Sequence, residues 1–300
     1  WQGAGSASFD STFFRVALQT SGNVNHDRAE AGTFYGSLAK TFNETEVGAS
    51  GYFALRPLAF WYPGNDPTYP LLEFYAQVSS TYRNPTLYER FGDNVFVTPS
   101  EKLKSEKAIT NAGGVRGSFM CFKNLSCSWR TEAFLTGAHY YIIFTQNSSR
   151  TLIAVNASRA QILGIENEVL LNWPERFLLT LRYTYLDARD YGNIPYYQDK
   201  FLPMRPRHHA VGVITVPYRA FRFMGSVEYR GAVFRDRYNS YSFYLASKTL
   251  VDAGVDLILD SYARHVFNFT VKNIFDDQEV DMIGYTLPGR YFLVKWTAAW

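Results

Sequence analysis

Few residues of this 300-residue chain are spaced for covalent or metal chemistry. His208-His209 is the sole adjacent histidine pair. Neighbours on a strand point to opposite faces, so the two rings cannot easily share one metal. Asp187 with Asp190, and Asp276 with Asp277, put carboxylates at segment edges, where a calcium role competes with ordinary turn chemistry. Gly-X-Ser-X-Gly, His-Glu-X-X-His, phosphate-loop and Cys-X-X-Cys patterns are missing, so no catalytic residue, no metal site and no cofactor is expected. Cys121 and Cys127 flank one short turn. They either bridge across a hairpin in an oxidising compartment or stay free.

The chemistry that remains is recognition. The stretch 84–110 offers Tyr88, Arg90, Phe91 and Asp93, and 191–205 offers Tyr196 and Tyr197. Arg235, Arg237 and Tyr238 cluster around a third. Arginine beside aromatic rings suits large, flat or anionic ligands, through stacking and cation–π attraction. The same residues also suit a tyrosine-rich rim at a membrane interface. Binding residues concentrate on loops held by a rigid scaffold, so the scaffold comes next.

Composition narrows that scaffold. Aromatic residues make up 17% and charged residues 19%, with a net charge of +3. The charged share is below the roughly 25% of soluble domains. No Lys/Arg run supports a nucleic-acid partner. No apolar run reaches the roughly 18 residues of a membrane helix. Instead, period-two alternation recurs. Phe221, Phe223, Val227 and Tyr229 oppose Arg222, Glu228 and Arg230. Leu72, Phe74, Ala76, Val78 and Tyr82 oppose Glu73, Gln77, Thr81 and Arg83. This is the pattern of a two-faced strand. About thirteen such segments are expected, near 7–19, 31–42, 46–56, 71–83, 111–122, 127–144, 152–172, 176–189, 207–218, 220–236, 246–260, 265–275 and 290–300. Their length suits membrane-spanning strands better than those of a soluble sandwich.

Connection lengths agree. Short ones at 123–126, 173–176, 218–220 and 261–264 alternate with long ones at 84–110, 191–205, 237–245 and 276–288. The expected fold class is all-β, a transmembrane antiparallel β-barrel with short turns on one side and long loops on the other. A tight turn at 43–46 and a longer stretch at 57–70 would break that parity.

Four ordered stretches carry a family resemblance. Tyr82-Arg83-Asn84-Pro85-Thr86-Leu87-Tyr88-Glu89 is the first, and Leu103-Lys104-Ser105-Glu106-Lys107 the second. Asn156 through Gly164-Ile165-Glu166 is the third. Asn273-Ile274-Phe275-Asp276, Gly284-Tyr285 and Pro288-Gly289-Arg290 end the series. Together they resemble the TonB-dependent outer-membrane receptors. Ser100-Glu101-Lys102 and Ser105 depart from that family's second motif.

The resemblance implies that residues 1–300 are the C-terminal portion of one barrel domain, about thirteen strands of a 22-stranded wall. The N-terminal plug and the segment that engages the TonB-type energising protein would lie outside this chain. It implies an outer membrane of a Gram-negative bacterium, contact with lipid, and energised import of a metal chelate, most commonly a ferric siderophore. Cobalamin uptake in the same family, a passive porin and an outer-membrane lipase are the alternatives. No His lies between residues 27 and 138, where haem receptors of the family carry one. Arg83, Glu106, Glu166, Arg182 and Arg290 are expected to face the lumen and the plug. Phe292, Val294, Trp296 and Trp300 are expected to form the terminal signal read by barrel-assembly machinery.

Overall fold

Alternating segments become strands, and each pairs with its neighbour in chain order. The computed structural model describes all residues except 1, 11–13, 34–35, 61–70, 94, 148, 150, 260–264, 279, 283–284, 287 and 299–300. Within the described residues, one antiparallel sheet runs through thirteen strands in sequence order. They are β1 (Gln2–Asp10), β2 (Phe14–Thr33), β3 (Gly36–Leu55), β4 (Leu71–Arg83), β5 (Glu106–Phe122), β6 (Leu125–Gln146) and β7 (Leu152–Trp173). β8 (Phe177–Asp190), β9 (His208–Tyr218), β10 (Phe221–Arg230), β11 (Lys248–Ile258), β12 (His265–Lys272) and β13 (Tyr291–Ala298) complete it. Val97–Thr98 adds a short parallel pairing to Leu152–Ile153. One short helix, α1 (Leu87–Phe91), follows β4.

Register separates two faces. Glu73 stands opposite Arg116, Arg116 opposite Arg130, and Arg130 opposite Glu168. The next position along each strand carries Phe74, Val115, Thr131 and Asn167, on the other face. That second face is largely apolar and open. On β13, Phe292, Val294 and Trp296 are 62%, 74% and 59% exposed. In water a contiguous surface of this kind would drive association, whereas against hydrocarbon it is the stable arrangement.

The polar face carries ion pairs across neighbouring strands. Glu73 is fully buried beneath the Arg56 and Arg116 guanidiniums, at 2.8 and 2.6 Å. The Tyr52 hydroxyl donates to it at 2.7 Å, and the Tyr75 hydroxyl donates to Glu132 at 2.6 Å. Further round, Arg182 meets Glu168, Arg222 meets Asp256 and Lys272 meets Asp252. Glu73, Glu168 and Asp256 each find a cation because register places one opposite, which removes most of the penalty of an unpaired charge.

His208 and His209 divide between the faces as strand geometry requires. His208 hydrogen-bonds the Tyr183 hydroxyl on the apolar side, and His209 meets Glu228 on the polar side. The two cysteines are joined. A disulfide links Cys121 to Cys127 across the β5–β6 turn, with Cα atoms 6.0 Å apart.

The first 60 residues depart from the expected layout. Residues 43–46 are not a turn; they lie within β3, where Asn43 pairs with His26 and Glu46 with Asn23. Residues 36–42 and 46–55 of two expected strands are therefore one strand, while 31–33 end β2, whose Thr33 pairs with Gly36. The expected strand 7–19 is divided between β1 and β2. The two-residue β2–β3 connection falls on the long-loop side, so the expected break in the alternation of connection lengths remains, though not at 43–46. The 57–70 connection does stay on the short-turn side. Its Pro57–Phe60 portion is a 3-10 turn, and 61–70 falls outside the described residues. Strand β5 also begins at Glu106, five residues before the apolar alternation suggests.

Candidate ligand-recognition site

The loop end of the sheet is built on buried polar anchors. Arg83, the last residue of β4, reaches Glu89 at 2.9 Å and Glu106 at 3.1 Å. Glu106 also accepts the Ile142 N–H at 3.0 Å. Thr86 and Glu89 close a capping box around α1: the Glu89 N–H donates to the Thr86 hydroxyl oxygen, and the Thr86 N–H to the Glu89 carboxylate. Each satisfies an otherwise orphaned donor at the helix start. Gly92 ends the helix at φ 63°, where a Cβ would collide with the Val97 carbonyl, so only glycine fits.

Asp93 then organises the next turn. One carboxylate oxygen accepts the N–H groups of Val95, Phe96 and Val97 at 3.0, 2.7 and 2.8 Å. Those backbone donors hold its carboxyl below the usual range. Tyr88 is exposed on the same loop, with its ring beside Phe144. Arg90 and Phe91 are half-buried on α1.

A second cluster joins two loops that are distant in sequence. Arg237 and Asp190 form a pair at 2.5 Å, with side chains 11% and 3% exposed. The Arg237 guanidinium lies 4.0 Å over the Tyr197 ring. Tyr197 and Tyr238 rings meet edge to face at 4.9 Å, and the Tyr197 hydroxyl donates to that of Tyr238 at 3.2 Å. That hydrogen bond, with burial, raises the Tyr197 phenol above its ordinary pKa. Tyr196 is fully in the open at 74% exposure. Arg235 sits over the Phe243 ring, and its carbonyl accepts the Gln146 N–H, tying this loop to the β6–β7 hairpin.

The structure therefore brings Tyr197, Arg237 and Tyr238 together, with Tyr196 beside them in sequence. Tyr88, Arg90, Phe91 and Asp93 belong to a separate loop. Composition alone does not reveal the anchors. Asp190 reads as a turn carboxylate yet holds the cation of the cluster. Asp236 accepts both the N–H and the hydroxyl of Ser240. Asn239 bonds the backbone N–H and carbonyl of Phe201. Asn156 bonds both backbone groups of Lys104 and the Tyr140 carbonyl. The signal for Asn156 was its place in a motif.

The remaining expected positions are distributed as follows. Arg83, Glu106, Glu166 and Arg182 lie on the polar face by register, Glu166 at 3.7 Å from Arg130. Arg290 precedes β13 in a bend, and its N–H donates to Asp276 at 2.6 Å. Asn273 holds that bend by bonding the carbonyls of Asp277 and Pro288. Phe292, Val294 and Trp296 lie on the apolar face of β13, while Trp300 falls outside the described residues. Among the described residues, no group of three or more metal-ligating side chains occurs.

Comparison with known proteins agrees with this architecture. A family model described as TonB dependent receptor-like, beta-barrel, matches residues 5–274. No curated protein matches the sequence. Among solved structures, the copper transporter OprC is 15% identical with a TM-score of 0.65, over 98% of this chain and 47% of that one. The siderophore receptor PiuA from Acinetobacter baumannii is 14% identical with a TM-score of 0.66, over 95% and 39%. The ferric yersiniabactin uptake receptor FyuA from Yersinia pestis is 14% identical with a TM-score of 0.63, over 98% and 43%. These likenesses bear on fold, and this chain spans less than half the length of each. The sheet order, its two faces and the match over most of the sequence lead to one assignment: the chain belongs to the TonB-dependent receptor family, in its β-barrel domain.

Proposed function

We propose that this chain is the C-terminal portion of a receptor barrel that binds a metal chelate, a ferric siderophore, and imports it. The observation that carries the reading is the Asp190–Arg237–Tyr197–Tyr238 cluster at the loop end of a family barrel wall. A buried carboxylate fixes a guanidinium on the Tyr197 ring, which Tyr238 meets edge to face, leaving aromatic surface for a flat or anionic chelate. Tyr196 and Arg235 would extend that surface, and Tyr88, Arg90, Phe91 and Asp93 would offer a second one on their own loop. TonB-dependent receptors are transporters rather than enzymes, and family membership disfavours the passive porin. Membrane lipid would cover the apolar face. A plug would meet the polar face at Arg83, Glu106, Glu166, Arg182 and Arg290, and a TonB-type protein would supply the energy. Assembly machinery would read the β13 end, Phe292, Val294, Trp296 and Trp300. The setting would be a Gram-negative outer membrane, the family's home.

The test is whole-cell uptake of labelled ferric siderophores and of cobalamin, with the full-length gene deleted and restored. Loss and recovery of ferric siderophore uptake is expected. Recovery of cobalamin uptake alone would reassign the ligand, and unchanged uptake of every ligand would overturn transport.

A further inference from the structure

One feature of the apolar face is not apolar. Tyr82, Lys107, His139 and Arg159 stand Cα to Cα across β4, β5, β6 and β7. Directly paired side chains on one face lie within contact range of each other. The next row toward the short turns is Ser80, Ile109, Gly137 and Gln161, and the one after it Val78, Asn111, Leu135 and Leu163. The basic row therefore caps the apolar band on its loop side. Lys107 stands 5.3 Å over the Tyr82 ring, the arrangement of a cation beside an interfacial aromatic. His139 and Arg159 are exposed.

No carboxylate shares this face on β4 to β7; the outward residues from Leu72 to Leu171 contain neither Asp nor Glu. On the next strand, Asp187 of β8 shares the face and is already bonded to Arg189 at 2.8 Å. This contrasts with the polar face, where acidic groups meet cations on neighbouring strands. Cations left without carboxylates at the edge of a hydrocarbon-facing band call for an anion supplied from outside the chain.

We propose that Lys107, His139 and Arg159 dock the phosphate of a phosphorylated lipid in the leaflet around the loop end. The inference rests on the membrane-spanning reading of the sheet. Two observations select a lipid over a free anion. The row sits where apolar surface ends, so acyl chains would lie along Ile109, Leu135 and Leu163 while the phosphate meets the cations. The Tyr82 ring places an interfacial group at the same height. Lys107 and Arg159 supply charge, and His139 supplies an N–H donor in either protonation state.

The test uses the full-length protein reconstituted in vesicles that mix phosphatidylcholine with phosphatidic acid, with the bound lipids measured by native mass spectrometry after detergent extraction. The wild type is expected to retain phosphatidic acid in preference to phosphatidylcholine. The Lys107→Gln/His139→Gln/Arg159→Gln variant should weaken that preference about tenfold or more, with an unchanged circular dichroism spectrum. A Lys107→Arg/Arg159→Lys variant should keep it. Should the triple variant misfold, Lys107→Gln and Arg159→Gln are measured singly, each with a several-fold loss expected. Equal retention of both lipids by the wild type, or undiminished preference in the folded variants, overturns the proposal. Displacement of the lipid by an equal concentration of inorganic phosphate overturns the lipid as occupant. Failure of the protein to enter vesicles at all would instead overturn the membrane-spanning reading.

Discussion

Glu73 and Asp190 are both buried carboxylates held by arginine, yet they belong to different kinds of structure. Glu73 meets Arg116 on the adjacent strand, and the partnership follows from register. Asp190 meets Arg237 from a loop 47 residues away, and nothing in strand pairing brings them together. The first pair fastens the wall. The second fastens loops to one another and leaves aromatic rings uncovered. Ion pairs at the two ends of the sheet thus divide the work: one set resists unfolding, the other shapes a surface.

The sharpest way to break this contrast is Glu73→Ala. It removes the acceptor shared by Arg56, Arg116 and Tyr52. A cost of about 3 kcal/mol is expected, at the low end for a broken buried pair because Arg116 is 41% exposed. Denaturant unfolding in detergent micelles should show an earlier midpoint, with chelate affinity of the folded fraction unchanged. A midpoint shift no larger than that of a surface substitution would remove the wall role.

Asp190→Ala should do the reverse. It strands the Arg237 charge and loosens the 191–205 loop against the 231–247 loop, which the Asn239–Phe201 bonds still join, a local cost of about 2 kcal/mol. Limited proteolysis should cleave within 191–205 much faster, while the global midpoint scarcely moves. Arg237→Lys keeps the charge but loses the planar stack on Tyr197. It should weaken chelate binding more than it loosens the loop. Equal loss of wall stability and loop protection in the Asp190 variant would erase the distinction between the two ends.

Thr86→Ala tests a smaller element, the cap that orients α1 beside Arg83. Loss of the capping hydroxyl costs about 1 kcal/mol, read as faster hydrogen exchange at Glu89 with β4 unaffected.

How much of this was legible in the sequence follows from period. From β4 onward one face of each strand is apolar, so residues such as Phe74 and Glu73 declare their sides by position alone. In the β2–β3 hairpin the signal fails. Asn23, Asn25, His26, Asp27, Glu30, Lys40, Asn43 and Glu44 leave no apolar face, so backbone pairing continues where patterning stops. Such a stretch reads as a connection, which is why the pattern places a turn at 43–46 where the backbone continues as strand. The loop cluster was half legible. Arginine and tyrosine abundance pointed to Arg237, Tyr197 and Tyr238, but their shared anchor Asp190 depends on a long-range contact that no local spacing encodes.

The smallest effect expected is an acid response confined to one loop, and it separates local from global electrostatics. Asp93 is exposed and bonded to three backbone N–H groups, which hold its carboxyl below the usual value. A depressed folded-state pKa means that the loop's extra stability is complete above the unfolded pKa of about 3.9. It is lost as pH falls through the lower folded value. Amide exchange at Val95, Phe96 and Val97 should therefore stay protected through mildly acidic conditions and rise only at pH below about 3.9. Asp93→Asn keeps one acceptor oxygen and has no charge to lose, so its protection should be weaker at neutral pH and flat across the same range. A wild-type loop that opens near neutrality would show that other groups, not the Asp93 turn, hold residues 93–98. The loop end would then owe its shape to inter-loop ties such as Asp190–Arg237 alone.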